Sequence, residues 1–317
     1  MTEALSDVIA DKMVRVAERA AIAAAKLVGR GDEKAADQAA VDAMRTAFNE
    51  IEMRGRIVIG EGERDEAPML YVGEEVGTGS GPELDIALDP LEGTTLTAHA
   101  MPNALAVLAV APRGGLLFAP DVYMDKIAIG PGYPLGVVSL DASPAENVRA
   151  LAQAKGVPAD QVTACVLKRS RHDDIIESLR SAGARVVLIT DGDVAGVINT
   201  TDPSTGVDIY LGQGGAPEGV LAAAALKCVG GQMQGRLIFR NDDERARASR
   251  VGVEDFDRLY DLHELASSDA IFVATGVTKG GLVDGVSHTN GRVQTHSIVM
   301  SSLDGAVRTI RTDRPVA

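Results

Sequence analysis

Between residues 6 and 28 the apolar positions Val8, Met13, Val16, Ala20, Ala24 and Val28 recur at helical spacing, and the pattern stops at Gly29-Arg30-Gly31-Asp32. This predicts an amphipathic helix closed by a glycine loop, followed by a second amphipathic helix over residues 33–53. The period then changes. "GRIVIGEGE", "ELDIALDP", "NALAVLAVAP" and "VYMDKIAIGPG" are short β-like runs, each closed by Gly, Pro or acidic residues. The first half therefore reads as helices laid over a sheet.

From about residue 144 the text alternates. Helix "SPAENVRALAQAKG" leads to strand "VTACVLK", helix "HDDIIESLRSAG", strand "RVVLIT", loop "DGD", strand "VDIYLG" and helix "APEGVLAAAALKCVGG". Strands alternating with helices of this length predict a largely parallel sheet. A charged helical stretch over 241–268 precedes the strand "AIFVATGV", and the chain ends in a hairpin turning at Asp304-Gly305. The fold class is α/β: an α+β lobe over 1–143 and an α/β lobe over 144–317 that ends in the hairpin.

Composition narrows the function. The chain has 317 residues, 45% of them hydrophobic, which suffices for a large core. It has no Trp and only 3% aromatic residues, so it offers few platforms on which bases could stack. Against 31 Lys and Arg stand 45 Asp and Glu, a net charge of −14 that repels a nucleic-acid backbone. A small anionic substrate stays open if metal ions or a local basic cluster reverse the field. Cys165 and Cys228 belong to no CxxC or Cys/His spacing and read as buried free thiols. With no signal-peptide pattern and no uncharged apolar stretch of membrane-spanning length, a cytoplasmic enzyme or binding protein is the expectation, with neither nucleic acid nor membrane as partner.

The candidate chemistry lies at acidic strand ends, where α/β sheets commonly bind ligands. Glu61 and Glu63 follow one apolar run, Asp89 and Glu92 another, and Asp191 and Asp193 a third. Each alone is compatible with a turn or a helix cap. The segment "DPLEGTT" at 89–95 is denser: two acids three apart, a proline, a glycine that permits a tight backbone, and Thr94. Hard oxygen donors in that density suit Mg²⁺ or Mn²⁺ rather than zinc.

"DPLEGTT" resembles the D-P-[IL]-[DE]-G-[ST] motif of the magnesium-dependent, lithium-sensitive sugar and inositol phosphatases. Together with "GRGDEKAADQAAVDAMR", "VIGEGERDEAPMLYVGEEVG", "PNALAVLAV", "APDVYMDKIAIGPG", "ITDGDVAG" and "GGAPEGVLAAAA", in that order along nearly the whole chain, it resembles the class II fructose-1,6-bisphosphatases of bacteria.

The resemblance implies a layered αβαβα sandwich of the sugar/inositol phosphatase type and two or more divalent ions, Mg²⁺ or Mn²⁺, held by Asp37, Glu61, Asp89, Glu92 and Glu218. It makes Thr94, with Asp37 and Glu61, the catalytic group that positions and activates water. It implies substrate contacts at Glu92, Gly93, Thr94, Tyr123, Arg169, Ser170, Arg171, Asp191, Gly192, Asp193 and Gly215, with Lys168 and Gly214 adjacent. The chain departs from the family pattern at Glu33, where Lys commonly follows GRGD, and at Gln38, where Gly is common. The implied reaction removes the 1-phosphate of fructose 1,6-bisphosphate; apolar strands and Ala-rich helices fit a homodimer or homotetramer. Action on sedoheptulose 1,7-bisphosphate as well, another lithium-sensitive phosphatase activity, or a non-catalytic sugar-phosphate-binding module are the competing readings.

Overall fold

The computed structural model of the chain describes residues 4–62, 69–250 and 252–316; Glu63 lies outside them. Helix α1 (Asp7–Ala25) is capped by Ser6, whose hydroxyl accepts from the Ile9 N–H at 3.3 Å, and α2 (Glu33–Phe48) by Asp32, which accepts from Ala35 at 2.9 Å. There follow β1 (Arg54–Ile59), β2 (Glu75–Val76), β3 (Glu83–Glu92), the short helix α3 (Thr94–Ala98) and β4 (Leu105–Pro112). These belong to a first compact unit made of Met1–Leu117 and Ser267–Ala317.

The second unit, Phe118–Ala266, holds β5 (Tyr123–Ile129), α4 (Pro144–Lys155), β6 (Thr163–Leu167), α5 (Asp173–Ser181), β7 (Arg185–Ile189), α6 (Asp193–Ile198) and β8 (Ile209–Gly215). It continues through α7 (Ala216–Val229), β9 (Gln232–Ile238), α8 (Asp242–Arg250), β10 (Leu259–Asp261) and α9 (Leu262–Leu265). The chain then re-enters the first unit with β11 (Ile271–Gly276), β12 (Ser287–Thr289), β13 (Arg292–Ser301) and β14 (Val307–Pro315).

This division differs from the expected one at residue 143. Strand β5 pairs with β8 and β9 in the second unit, and the apolar run of β11 is buried between β4 and β13 in the first. The C-terminal hairpin of β13 and β14 forms as expected, but it completes the first sheet rather than a second lobe.

Among the described residues, the first sheet runs β12-β13-β11-β4-β3-β1-β2, with β14 on β13, and β1 lies parallel to β3. Met13, Ala17, Ala21, Ala40 and Met44 of the two helices bury against Ile57, Ile86, Leu88, Leu108 and Val273 of the sheet. The small alanines let α1 approach both α2 and the strands closely.

The second sheet runs β10-β9-β5-β8-β6-β7. On one face Ile127, Val166, Ile209 and Leu211 pack with Val148 and Leu151 of α4 and Leu179 of α5. On the other, Gly219 of α7 is pressed against Met124, and Gly196 of α6 against Tyr210; a Cβ would sit 2.5 Å from the Met124 sulfur and 3.2 Å from the Tyr210 ring.

The sheet is mixed, where a largely parallel one was expected. β6 is parallel to β7 and β8, but β5 is antiparallel to β8 and β9, and β10 to β9. The difference comes from "QMQGRLI", whose two-residue alternation makes it strand β9, and which turns back from α7 at Gly230. The fold is thus α/β, with two mixed sheets and helices against each. No helix among the described residues is long and apolar enough to cross a membrane.

Candidate active site

In the first unit the site begins with a fault in a ladder. Asp89 of β3 pairs with Val107 of β4, and Glu92 with Leu105, so three steps along β3 face two along β4. The extra residue is a β-bulge. Pro90 sits in it, where a missing N–H does no harm to the ladder. Side chains three apart on a regular strand point to opposite faces; the bulge instead brings a carboxylate oxygen of Asp89 and one of Glu92 within 4.8 Å of each other. Asp89 Oδ1 also accepts from the Leu91 N–H at 2.9 Å, which holds the bend. Gly93 follows at φ +88°, a left-handed backbone that starts α3 with half-buried Thr94 as its first residue.

Two further acids share this environment. Asp37 is half-buried on α2, and burial raises its pKa. Glu61 follows the end of β1, where its N–H donates to the Leu70 carbonyl at 3.0 Å and Gly60 passes so close that a Cβ would lie 2.1 Å from that oxygen. Burial, then the charge of Asp89, then that of Asp37, push Glu61 up to about 9. Glu61, buried beside two other acids, keeps its proton at neutral pH unless a cation replaces it. Their donor atoms are all hard oxygens, which fits Mg²⁺ or Mn²⁺ and offers nothing to a soft metal.

In the second unit the residues implied by the family surround the start of β5. Tyr123 pairs with Gly215 of β8 and Ile238 of β9. Arg169 Nη1 donates to the Thr190 carbonyl at 2.6 Å, and its Nη2 stands 4.0 Å from Asp191. Arg171 Nη2 donates to the Gln213 carbonyl at 2.8 Å, and its guanidinium lies 5.0 Å from the Tyr123 ring centre. Ser170 opens the short turn 170–172, which ends on fully buried His172. His172 Nδ1 bonds the Leu167 carbonyl at 2.7 Å while Nε2 accepts from the Gln213 N–H at 2.9 Å, so this ring ties the arginine segment to β8.

Gly192 takes φ +81° ahead of α6, and Asp193 is its first residue. The Asp193 carboxylate is buried in an ion pair with Lys126, a lysine only 1% exposed that also donates to the Gly215 carbonyl at 3.0 Å. That engagement favours Asp193 as an anchor of the Asp191–Asp193 turn over the direct substrate contact implied by the resemblance. Gly214 has no room for a side chain, since a Cβ would lie 2.2 Å from Asp193 Oδ2, and one on Gly215 would lie 1.9 Å from Glu218 Oε2. Glu218 stands in the first turn of α7. Both cysteines are free and buried, and burial, then Asp193, push the Cys165 thiol up to about 12, which makes it inert at neutral pH.

Lys126 and Arg240 were not among the residues expected from sequence. Arg240 lies 4.9 Å from the Tyr123 ring centre. Its only sequence signal is a basic residue beside a charged helix, which most often means a solvated face.

A site of clustered carboxylates on an α/β scaffold is the mark of a metal-dependent hydrolase class, and comparison with known proteins narrows it. Residues 7–314 match the family described as "Bacterial fructose-1,6-bisphosphatase, glpX-encoded". The chain belongs to this family and is a phosphoric monoester hydrolase. A protein of Synechococcus sp. (strain JA-3-3Ab) named D-fructose 1,6-bisphosphatase class 2/sedoheptulose 1,7-bisphosphatase is 44% identical over 326 aligned positions, covering 95% of this chain and 94% of that one. A Trichormus variabilis protein of the same name is likewise 44% identical, over the same shares. Among solved structures, an inositol monophosphatase from Anabaena (Nostoc) sp. PCC 7120 aligns with a TM-score of 0.30 and 15% identity over 61% of this chain and 71% of its own. A likeness that slight carries no argument.

Proposed function

We propose that the chain hydrolyses the 1-phosphate of fructose 1,6-bisphosphate, giving fructose 6-phosphate and inorganic phosphate, by direct attack of water. The observation that carries this reading is the bulge that gathers the carboxylates of Asp89 and Glu92, with buried Glu61 near enough to feel the charges of Asp89 and Asp37. These four, with Glu218 added by the family resemblance, would hold Mg²⁺ or Mn²⁺. When bound, such ions lower the pKa of water and neutralise charge on the ester and leaving oxygens. Thr94, at the start of α3 directly after the metal-binding acids, would orient the attacking water through its hydroxyl. Glu92, Gly93 and Thr94 would also line the phosphate being cut.

In the second unit, Arg169, Ser170 and Arg171 would bind the distal phosphate beside Tyr123. Asp191, Gly192 and Asp193 would serve the sugar through the turn that Lys126 anchors, and Gly215 through its backbone. The water oxygen bonds phosphorus as the P–O bond to C1 breaks; its proton passes to solvent or a neighbouring carboxylate, and the departing C1 oxygen takes up a proton from the same source to become the C1 hydroxyl of fructose 6-phosphate. A second reading, action on sedoheptulose 1,7-bisphosphate too, is favoured by the double name of the relatives. We also place the enzyme in the cytoplasm as a homodimer or homotetramer.

The test is a side-by-side phosphate-release assay on both bisphosphates and an inositol monophosphate, with Mg²⁺ or Mn²⁺ and with lithium as inhibitor. Turnover of fructose 1,6-bisphosphate supports the main reading, and comparable turnover of both sugars the second. Preference for the inositol ester would overturn both. Light scattering on the eluted protein reads the oligomeric state.

A further inference from the structure

The Tyr123 ring carries two guanidinium groups, not one. Arg171 lies 5.0 Å and Arg240 4.9 Å from its centre, which places the two charges no more than about 10 Å apart. Each is held by bonds that leave part of its donor fork out of use. Arg171 is anchored through Nη2 to a carbonyl, that of Gln213, so its charge is not neutralised by that bond. Arg240 gives Nε and Nη2 to Glu244 Oε1, at 2.7 and 2.6 Å, while its backbone N–H donates to Oε2 at 2.7 Å. Nη1 takes no part in that pair. The Glu244 carboxylate is buried, whereas the Arg240 side chain remains 57% exposed. Next to it, Phe239 packs edge-on against Phe256 at 5.1 Å, which fixes the chain where it leaves β9.

We propose that Arg240 is a substrate-specificity residue: with Arg171, and beside the Tyr123 ring that both contact, it clamps the phosphate of the sugar bisphosphate that is not cut. The proposal rests on the function proposed above. Arg171 is bonded to a carbonyl rather than a carboxylate, so a phosphate beside the ring would meet its charge together with the Arg240 fork. A phosphate presents three oxygens to planar N–H forks, the geometry that guanidinium groups match and ammonium groups do not. The ring contributes by cation–π attraction, which keeps both forks oriented before the ligand arrives. A purely structural role for Arg240 would be met by Glu244 alone and would not require the ring.

The test uses the intact, metal-loaded enzyme. Arg240→Ala should raise KM for fructose 1,6-bisphosphate roughly tenfold or more, the effect of losing charge-assisted hydrogen bonds, with kcat within about threefold of wild type. The inhibition constant of fructose 6-phosphate, which keeps the distal phosphate, should rise by a similar factor. That of inorganic phosphate should not move. Arg240→Lys should recover only part of the loss.

Because Arg240→Ala strips the buried Glu244 of its ion-pair partner and so destabilises the fold, the double variant Arg240→Gln/Glu244→Gln keeps a neutral hydrogen-bonded pair and should show the same KM rise at wild-type melting temperature. An unchanged KM in either folded variant, or an equal rise in both inhibition constants, overturns the proposal. If the wild-type protein releases no phosphate from fructose 1,6-bisphosphate, the functional reading itself has failed, and that is seen before any variant is made.

Discussion

At the scale of single residues the decisive quantity is the proton on Glu61. Its pKa of about 9, against an ordinary 4.5, means that the metal-free folded protein binds more protons than the unfolded chain between those values. Stability of the metal-free form should therefore fall as pH rises from about 5 to 9, and added Mg²⁺ or Mn²⁺ should remove the slope. Melting curves in chelator and in metal across that range read this directly; a flat chelator curve contradicts it. Asp89→Asn removes the nearest repelling charge, so the metal-free variant should melt no lower than wild type at pH 8 while losing at least about a hundredfold in kcat, on the scale of one lost electrostatic stabiliser. Thr94→Ala should lose a similar factor in kcat, larger than any rise in KM, as proposed for a hydroxyl whose main task is to orient the attacking water.

At the scale of elements, β3 shows what was legible in the sequence and what was not. The alternating run up to Leu88 and the acids after it could be read directly, but the strand continues through Glu92, because a bulge absorbs Pro90 and keeps the pairing with β4. Local patterning reports period, not register, so the bulge that gathers Asp89 and Glu92 was invisible. The same limit hid Lys126 and Arg240, whose roles depend on Asp193 and Tyr123, 67 and 117 positions away, in contacts set by the tertiary fold. The helix α6 is six residues long, too short for helical periodicity to register.

One element-scale prediction concerns His172. Burial holds its pKa below 6.5, with the Leu167 bond opposing, and its Nε2 must stay unprotonated to accept from Gln213. The unfolded chain gains a proton below pH 6.5 that the folded one refuses, so this part of the stability is present above 6.5 and lost as pH falls through the folded value. His172→Asn should weaken that acid sensitivity, measured as melting temperature from pH 7 to 5. Gly215→Ala, whose Cβ would meet Glu218 Oε2 at 1.9 Å, should raise the metal concentration needed for half-maximal activity.

At the scale of the whole molecule, the chain leaves its first unit after Leu117 and returns at Ser267, which a reading from one end to the other takes for a single boundary. The return is structural. β14 pairs along β13 from Arg292 to Met300, and Arg314 meets the buried Glu18 of α1, which also accepts from Thr295 at 2.7 Å. Deleting residues 303–317 should therefore lower the melting temperature and promote aggregation through the bared edge of β13, seen by light scattering.

The claim that joins all three scales is that a carboxylate cluster on this fold hydrolyses a sugar bisphosphate with divalent ions. Its most direct test is phosphate release from fructose 1,6-bisphosphate by chelator-treated enzyme, with product sugar followed in parallel. The account predicts no release until Mg²⁺ or Mn²⁺ is restored, then one phosphate and one fructose 6-phosphate per substrate consumed. Release that is equally fast in chelator, or none with either metal, would contradict it.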